Sequence, residues 1–171
     1  MVAKRNYEFG QYMNIHFLDK IPPTQTLILK RASTKKFAPN FYAGIGGGVE
    51  EGESLEAATA RELFEETGLK RNDLKQFGIL NVNRKKMIHY FSGILEATQE
   101  ITSDDGALQW VGLAELFKRK IIPSTELMLR EWQRRDFSLD RPFTMYIRAD
   151  HNAEGMAINI TIEKVKEGLH A

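Results

Sequence analysis

From Gly47 to Leu69 the chain reads GGVEEGESLEAATARELFEETGL, which places Glu53, Arg61, Glu62, Glu65 and Glu66 at fixed offsets behind a run of glycines. Carboxylates crowded together raise one another's pKa values and resist ionising unless a cation sits among them. Magnesium would relieve that repulsion, because it takes hard oxygen ligands and shares its octahedral shell among a few carboxylates, water and phosphate oxygens. The chemistry implied is metal-assisted cutting of a diphosphate.

Two elements must position these groups. Gly46, Gly47 and Gly48 allow a sharp turn that brings main-chain carbonyls close to a ligand. Ser54 suits an N-cap, residues 55–67 are good helix formers without proline, and Gly68 is of the type that ends a helix. At roughly 100° per residue, Glu62, Glu65 and Glu66 fall within an arc of about 100°, with small Ala58 and Thr59 between them. Ala57, Ala60, Leu63 and Phe64 gather opposite, and that apolar arc is expected to anchor the helix in the core.

An isolated Glu-Xaa-Xaa-Glu-Glu is more often a solvated helix face than a metal site. Here the flanking residues decide otherwise. The stretch matches the Nudix box, a glycine, five residues, Glu, seven residues, then Arg-Glu-apolar-Xaa-Glu-Glu-Xaa-Gly-apolar, with Gly47, Glu53, Arg61, Glu62, Leu63, Glu65, Glu66, Gly68 and Leu69 in place. With fixed residues at a background of roughly one in fifteen, chance agreement is on the order of 10⁻⁸ per window.

Beyond the box the chain resembles the MutT-like, nucleoside triphosphate branch of the Nudix family, in particular oxidised-purine triphosphatases. The similarity rests on the Tyr42-Ala43-Gly44-Ile45-Gly46-Gly47 lead-in, the Gln109-Trp110-Val111 strand before Leu113-Ala114-Glu115-Leu116, and an Ile122-Pro123 step before a helix. The resemblance implies that Glu62, Glu65 and Glu66 bind one to three Mg²⁺, with Mn²⁺ as a substitute, and that the Gly46 carbonyl joins them. It implies also that Arg61 and Glu53 pair to hold the glutamates. The reaction would be water attack on a nucleoside triphosphate, yielding monophosphate and pyrophosphate. Glu62 is the first choice of general base.

Some relatives place another acid just before the tryptophan strand, where this chain has Gln109; Asp104 or Asp105 could substitute, a solvated turn being the alternative. Relatives that read oxidised purines carry an asparagine in the lead-in and paired aspartates after the proline, and here those positions hold Ala43 and Ser124-Thr125. Gly48 stands where many carry lysine, so Lys30 or Arg31 is expected to compensate near the phosphates. Phe41, Tyr42, Trp132 and Phe137 could stack on a base or sit in the core. His16, His89, His151 and His170 read as packing or exposed groups, and Arg84, Lys85 and Lys86 as a solubilising hairpin tip or a phosphate clamp. Competing readings are a hydrolase of ADP-ribose, a nucleotide sugar or a dinucleoside polyphosphate, and a regulator that binds nucleotide without cutting it.

The wider chain suits these readings. Its 171 residues, 42% hydrophobic and 27% charged, point to one domain spanning 1–171. A formal charge of +1 offers no case for nucleic acid or a membrane surface, and the ligand is expected to be small. No cysteine is present, so disulfides and thiol sites are excluded; no leader-like apolar run opens the chain, so a cytoplasmic location is expected.

Strands are expected over residues 12–18, 26–29, 77–82, 87–95, 108–111, 143–148 and 157–165, with a basic loop over 31–40. Helices are expected over 55–67, 113–118 and 125–135, the last capped by Ser124 or Thr125. The order suggests an α/β/α sandwich around a mixed sheet with a loop-helix-loop at the site.

Overall fold

The computed structural model describes residues 9–97, 101, 103 and 105–171. Nine strands form one mixed sheet: β1 (Gly10–Leu18), β2 (Gln25–Arg31), β3 (Tyr42–Ala43), β4 (Ile45–Gly48), β5 (Lys75–Val82), β6 (Lys86–Ile94), β7 (Gly106–Gly112), β8 (Phe143–His151) and β9 (Ala157–Glu167). The order is β3-β2-β1-β6-β5-β8-β9, with β4 added to β1 and β7 to β2. The β1–β6 and β5–β8 pairs are parallel and the others antiparallel.

Alternation along the strands separates two cores. Met13, Ile15 and Phe17 of β1 join Leu27, Ile45 and the helix α1 (Leu55–Thr67) through Ala58 and Leu63. Leu18, Ile28, Leu80, Ile88 and Tyr90 meet Met128, Leu129 and Trp132 of α2 (Pro123–Arg134) on the opposite face. Helices therefore cover both faces, as the expected α/β/α sandwich requires. Trp132 lies flat on Phe77 with ring centres 3.9 Å apart, and Phe137 meets it edge-on at 5.0 Å. These two aromatics are core, not base-stacking groups.

The caps of α1 are as the sequence indicates: the Ser54 hydroxyl accepts from the Ala57 amide at 3.1 Å, and Gly68 closes the helix at φ 74°. Other expectations need correction. The glycine run is not a turn; Ile45–Gly48 is a strand whose residues pair with Ile15 to Tyr12 of β1. A Cβ at Gly46 would lie 1.9 Å from the Met13 carbonyl oxygen, so glycine is required there by close backbone approach. The helix at 113–118 is a single 3-10 turn, Leu116–Lys118. Helix α2 begins at Pro123, with no side-chain cap, because proline presets the helical φ and gives up an N–H that the first turn would leave unpaired. Ser124 and Thr125 are thus buried within the first turn rather than capping it.

The largest correction concerns which face of α1 is inside. Ala57 and Ala60 are exposed and Phe64 is half exposed, whereas Ala58, Thr59, Glu62, Leu63 and Glu66 are buried. The acidic arc packs on the sheet, where Ala58 and Thr59 are small enough to let the helix approach. Among the described residues no helix is long and apolar enough to cross a membrane.

This orientation has a measurable consequence. Leu63→Ala should lower unfolding stability by about 2–5 kcal/mol, and Phe64→Ala by no more than about 1 kcal/mol. Urea midpoints at constant m would read the difference; a larger loss in Phe64→Ala than in Leu63→Ala would show that the helix is turned the other way.

Candidate functional site

Arg61 organises the acidic cluster. Its Nε and Nη2 donate to both oxygens of Glu53 at 2.7 and 2.8 Å, Nη2 also donates to the Gly48 carbonyl at 3.1 Å, and Nη1 reaches Glu62 at 2.9 Å and Glu65 at 3.4 Å. A two-toothed guanidinium–carboxylate pair fixes both planes. The Arg61 hydrogen bonds, with the Glu50 amide, push the Glu53 carboxyl down to about 2. Arg61 is raised in turn, chiefly by Glu53. The loop before α1 is thereby tied to the helix and to β4.

Glu62 lies against the strand: a Cβ at Gly47 would sit 2.4 Å from its Oε1. Glu66 is 8% exposed and packs against the Gly46 backbone amide and Asp105. Its Oε2 is buried without a hydrogen-bond partner among the described residues. Burial first, then Asp105 and the charge of Glu62, push this carboxyl up to about 9. Glu65 sits at the rim with its side chain 58% exposed. The three helix glutamates are therefore neighbours in unequal settings, two pressed on the glycine strand and one in solvent. No three carboxylate or imidazole groups among the described residues converge on one metal-sized point.

Asp105 precedes β7 and is bound by Lys35 from the loop after β2. Burial acts to raise its carboxyl, but hydrogen bonds from Lys35 and Glu66 outweigh this and hold it below the ordinary carboxylate range. Of the two acids the sequence offers here, Asp105 reaches the cluster; Asp104 lies outside the described residues. Lys35 was not anticipated, since it is 70 positions from its partner in sequence.

A cleft of about 150 Å³ opens on the other side of β4, lined by Gly46 and Gly47 together with Tyr12, Asn14, Arg31, Ala43, Lys86, Ser124 and Thr125. It is smaller than the roughly 300–1,000 Å³ of a site enclosing a whole drug-sized ligand, so it suits part of one. Of the substrate residues expected from sequence, Arg31, Ala43, Ser124 and Thr125 line it. Lys30 does not; it is exposed on β2. Tyr42 does not either, and instead ties β3 to the lead-in of α2 through Tyr42 N–H to Lys120 O at 2.8 Å and Ile122 N–H to Tyr42 O at 3.0 Å. Asn14 and Lys86 are additions: Asn14 bonds the buried Tyr90 hydroxyl, which lies 3.5 Å from Thr125 Oγ1. Lys86 is not at an exposed tip but is buried at the start of β6, 3.4 Å from His151 Nε2. Period-two placement of 12, 14, 86 and 88 on one sheet face was the signal that could have found them.

The histidines behave as packing groups. His16 is fully buried, stacked on Tyr90, and pulled down to about 3 by burial, so it is neutral. His89 bonds Gln11 and Gln76 at 2.7 and 2.8 Å.

The NUDIX domain profile matches residues 21–132. An 8-oxo-dGTP diphosphatase from Buchnera aphidicola is 33% identical over 91 residues, covering 53% of this chain and 70% of that protein. An NAD-capped RNA hydrolase NudC from Chromobacterium violaceum is 34% identical over 65 residues, 34% of this chain; the match spans only 24% of that longer protein. The crystal structure of a MutT protein from Bacillus halodurans superposes with a TM-score of 0.67 at 18% identity, covering 90% of this chain and 97% of that one, a likeness of fold.

A folded-state carboxyl near 9 against 4.5 unfolded means that the folded protein keeps a proton the unfolded chain releases. Stability from this group is complete below pH 4.5 and is lost as pH rises toward 9. Between pH 7.5 and 9, above the range where His16 and Glu53 titrate, the metal-free Tm should fall, Glu66→Gln should flatten the slope, and millimolar Mg²⁺ should restore Tm. An unchanged slope in Glu66→Gln would remove Glu66 as the cause.

Proposed function

We propose, since this chain belongs to the NUDIX family of hydrolases, that it acts as a single domain over 1–171, cleaving a nucleoside triphosphate to monophosphate and pyrophosphate with Mg²⁺. The observation that carries the reading is the buried Glu66 carboxyl, one oxygen unpartnered and its pKa raised to about 9, beside Glu62 on a strand that also walls the cleft. A divalent cation fits these groups. Mg²⁺ needs only one or two carboxylates when water and substrate phosphate fill the remaining positions, and an orphaned buried oxygen is relieved by a cation.

When bound, the cation screens the polyphosphate oxygens and makes a water easier to ionise. Glu66 and Glu62 would hold it with the Gly46 carbonyl, and Glu65, in solvent at the rim, would hold a separate cation brought in with the polyphosphate. Glu62 is proposed to take the proton of the attacking water, being within reach of the glycine strand along which the polyphosphate must lie. Arg61 and Glu53 are positioning residues that keep Glu62 against Gly47. The sugar and base would occupy the cleft, with Arg31 toward the phosphates.

Base choice follows from the lining. No carboxylate lines the cleft among the described residues; besides the Lys86 ammonium, the groups available to a base are the Asn14 amide and the Tyr12, Ser124 and Thr125 hydroxyls. An oxidised purine is one candidate, as the Buchnera relative acts on 8-oxo-dGTP by name. Neutral, rotatable groups discriminate less sharply than a dedicated charged set, so kcat/KM should vary by less than about 10³-fold among bases. A second reading, cleavage of a dinucleotide diphosphate, is favoured by the NAD-capped RNA hydrolase relative.

Incubation with canonical and oxidised nucleoside triphosphates, NAD and ADP-ribose plus Mg²⁺, with products identified by mass, separates these readings. Pyrophosphate and monophosphate from a triphosphate are expected; two monophosphates from NAD alone would favour the second. Glu66→Gln should lower kcat by about 10²–10³-fold with the fold intact, and Glu53→Gln by about 10–100-fold. Full activity in Glu66→Gln would overturn the assignment.

A further inference from the structure

Gly48 brings no side chain to the glycine strand, and Lys30 is exposed on β2 and does not line the cleft. A cation with no role assigned so far is Lys35, whose ammonium is held by Asp105 at the edge of the glutamate cluster. Resting on the reading above, we propose that Lys35 is a phosphate-binding residue held in reserve: Asp105 keeps it until a divalent cation arrives at Glu66, and it then turns to the substrate polyphosphate.

The backbone makes Asp105 a fixed post. Its carbonyl accepts from Ala32 N–H at 3.1 Å, its own N–H bonds Ser103 Oγ at 3.2 Å, and a Cβ at the following Gly106 would lie 2.0 Å from the Lys30 carbonyl oxygen. The backbones of β7 and β2 approach closely at this point. Asp105 therefore faces Lys35 on one side and Glu66 on the other with little freedom to follow either.

Charge decides the exchange. A divalent ion next to the Asp105 and Glu66 carboxylates attracts them about twice as strongly at equal distance as an ammonium does, and it repels that ammonium. Glu66 supplies a second, independent pull through its buried, unpartnered Oε2. The Lys35 side chain is 34% exposed on a loop, so its flexible stem can move without disturbing a core. That loop is joined to the cleft: Arg31 Nε donates to the Phe37 carbonyl at 2.8 Å, and both residues line the opening. A released ammonium thus stays beside the place where the phosphates must lie.

Two readouts test this. In nucleotide-free protein, Lys35→Met should bind Mn²⁺ several-fold more tightly than wild type, measured from the free-Mn²⁺ electron paramagnetic resonance signal, because the competing ammonium is gone. The same variant should raise KM for the triphosphate by about tenfold or more with kcat little changed, and Lys35→Arg should restore KM. A merely structural lysine would move Tm but would not tighten Mn²⁺. Unchanged or weaker Mn²⁺ binding in Lys35→Met, or an unchanged KM, overturns the proposal while leaving the hydrolase reading intact. A wild-type protein that neither binds Mn²⁺ nor cleaves any triphosphate overturns both.

Discussion

The structure depends on burying carboxylates against a strand whose last three residues are glycines. Glu62 and Glu66 lie on the inner face of α1, and a helix that turns acids inward is destabilised unless each acid finds a partner. Glycine at 46 and 47 removes the Cβ atoms that would otherwise occupy the space of the Met13 carbonyl and the Glu62 carboxylate. Arg61 supplies the compensating charge for Glu62, and it is itself locked by Glu53 and the Gly48 carbonyl. Among the described residues Glu66 has no such ion pair, and its Oε2 has no hydrogen-bond partner. The imbalance is local, and under the proposed function it is where a divalent ion would be held.

The same strand gives the site two sides. β1 changes partner along its length, with Leu18 opposite Thr26 of β2 and Tyr12 to Ile15 opposite β4, so the sheet forks where β4 begins. The α1 face of that fork carries the glutamates and the α2 face the cleft with Asn14 and Thr125. A ligand that uses both must cross the edge at Gly46–Gly47, and an extended polyphosphate is narrow enough to do so while a base is not. The separation of the acidic cluster from the cleft is a consequence of strand pairing.

What could be read from sequence was local. The bounds of α1 and its two caps came from Ser54, Gly68 and an unbroken run of helix formers, signals confined to neighbours in the chain. The inside of α1 was inverted because amphipathic reasoning turns Ala57, Ala60 and Phe64 inward, and it fails where function requires acids inside. The glycines were legible as close approach but not as a strand, since glycine marks both. Asp105 and the basic loop holding Lys35 were each legible, but their meeting was out of reach of any local pattern: it depends on β2 pairing with β7, a contact between residues 70 positions apart. Asn14, Lys86 and Thr125 likewise converge only once β1, β6 and α2 are assembled.

Glu53 and Glu66 show how one short stretch assigns different work to the same side chain. Glu53 is pushed down to about 2 by two hydrogen bonds from Arg61, so it stays ionised across the whole physiological range and has nothing further to exchange. Glu66 is pushed up to about 9 by burial and by acidic neighbours, so its charged form is the one that the folded chain alone cannot stabilise. A carboxylate satisfied within the protein positions its neighbours, whereas one left unsatisfied is available to a ligand. By that criterion the Arg61–Glu53 pair is framework, and the proposed cation site falls at Glu66, with Asp105 beside it and Lys35 bound to Asp105.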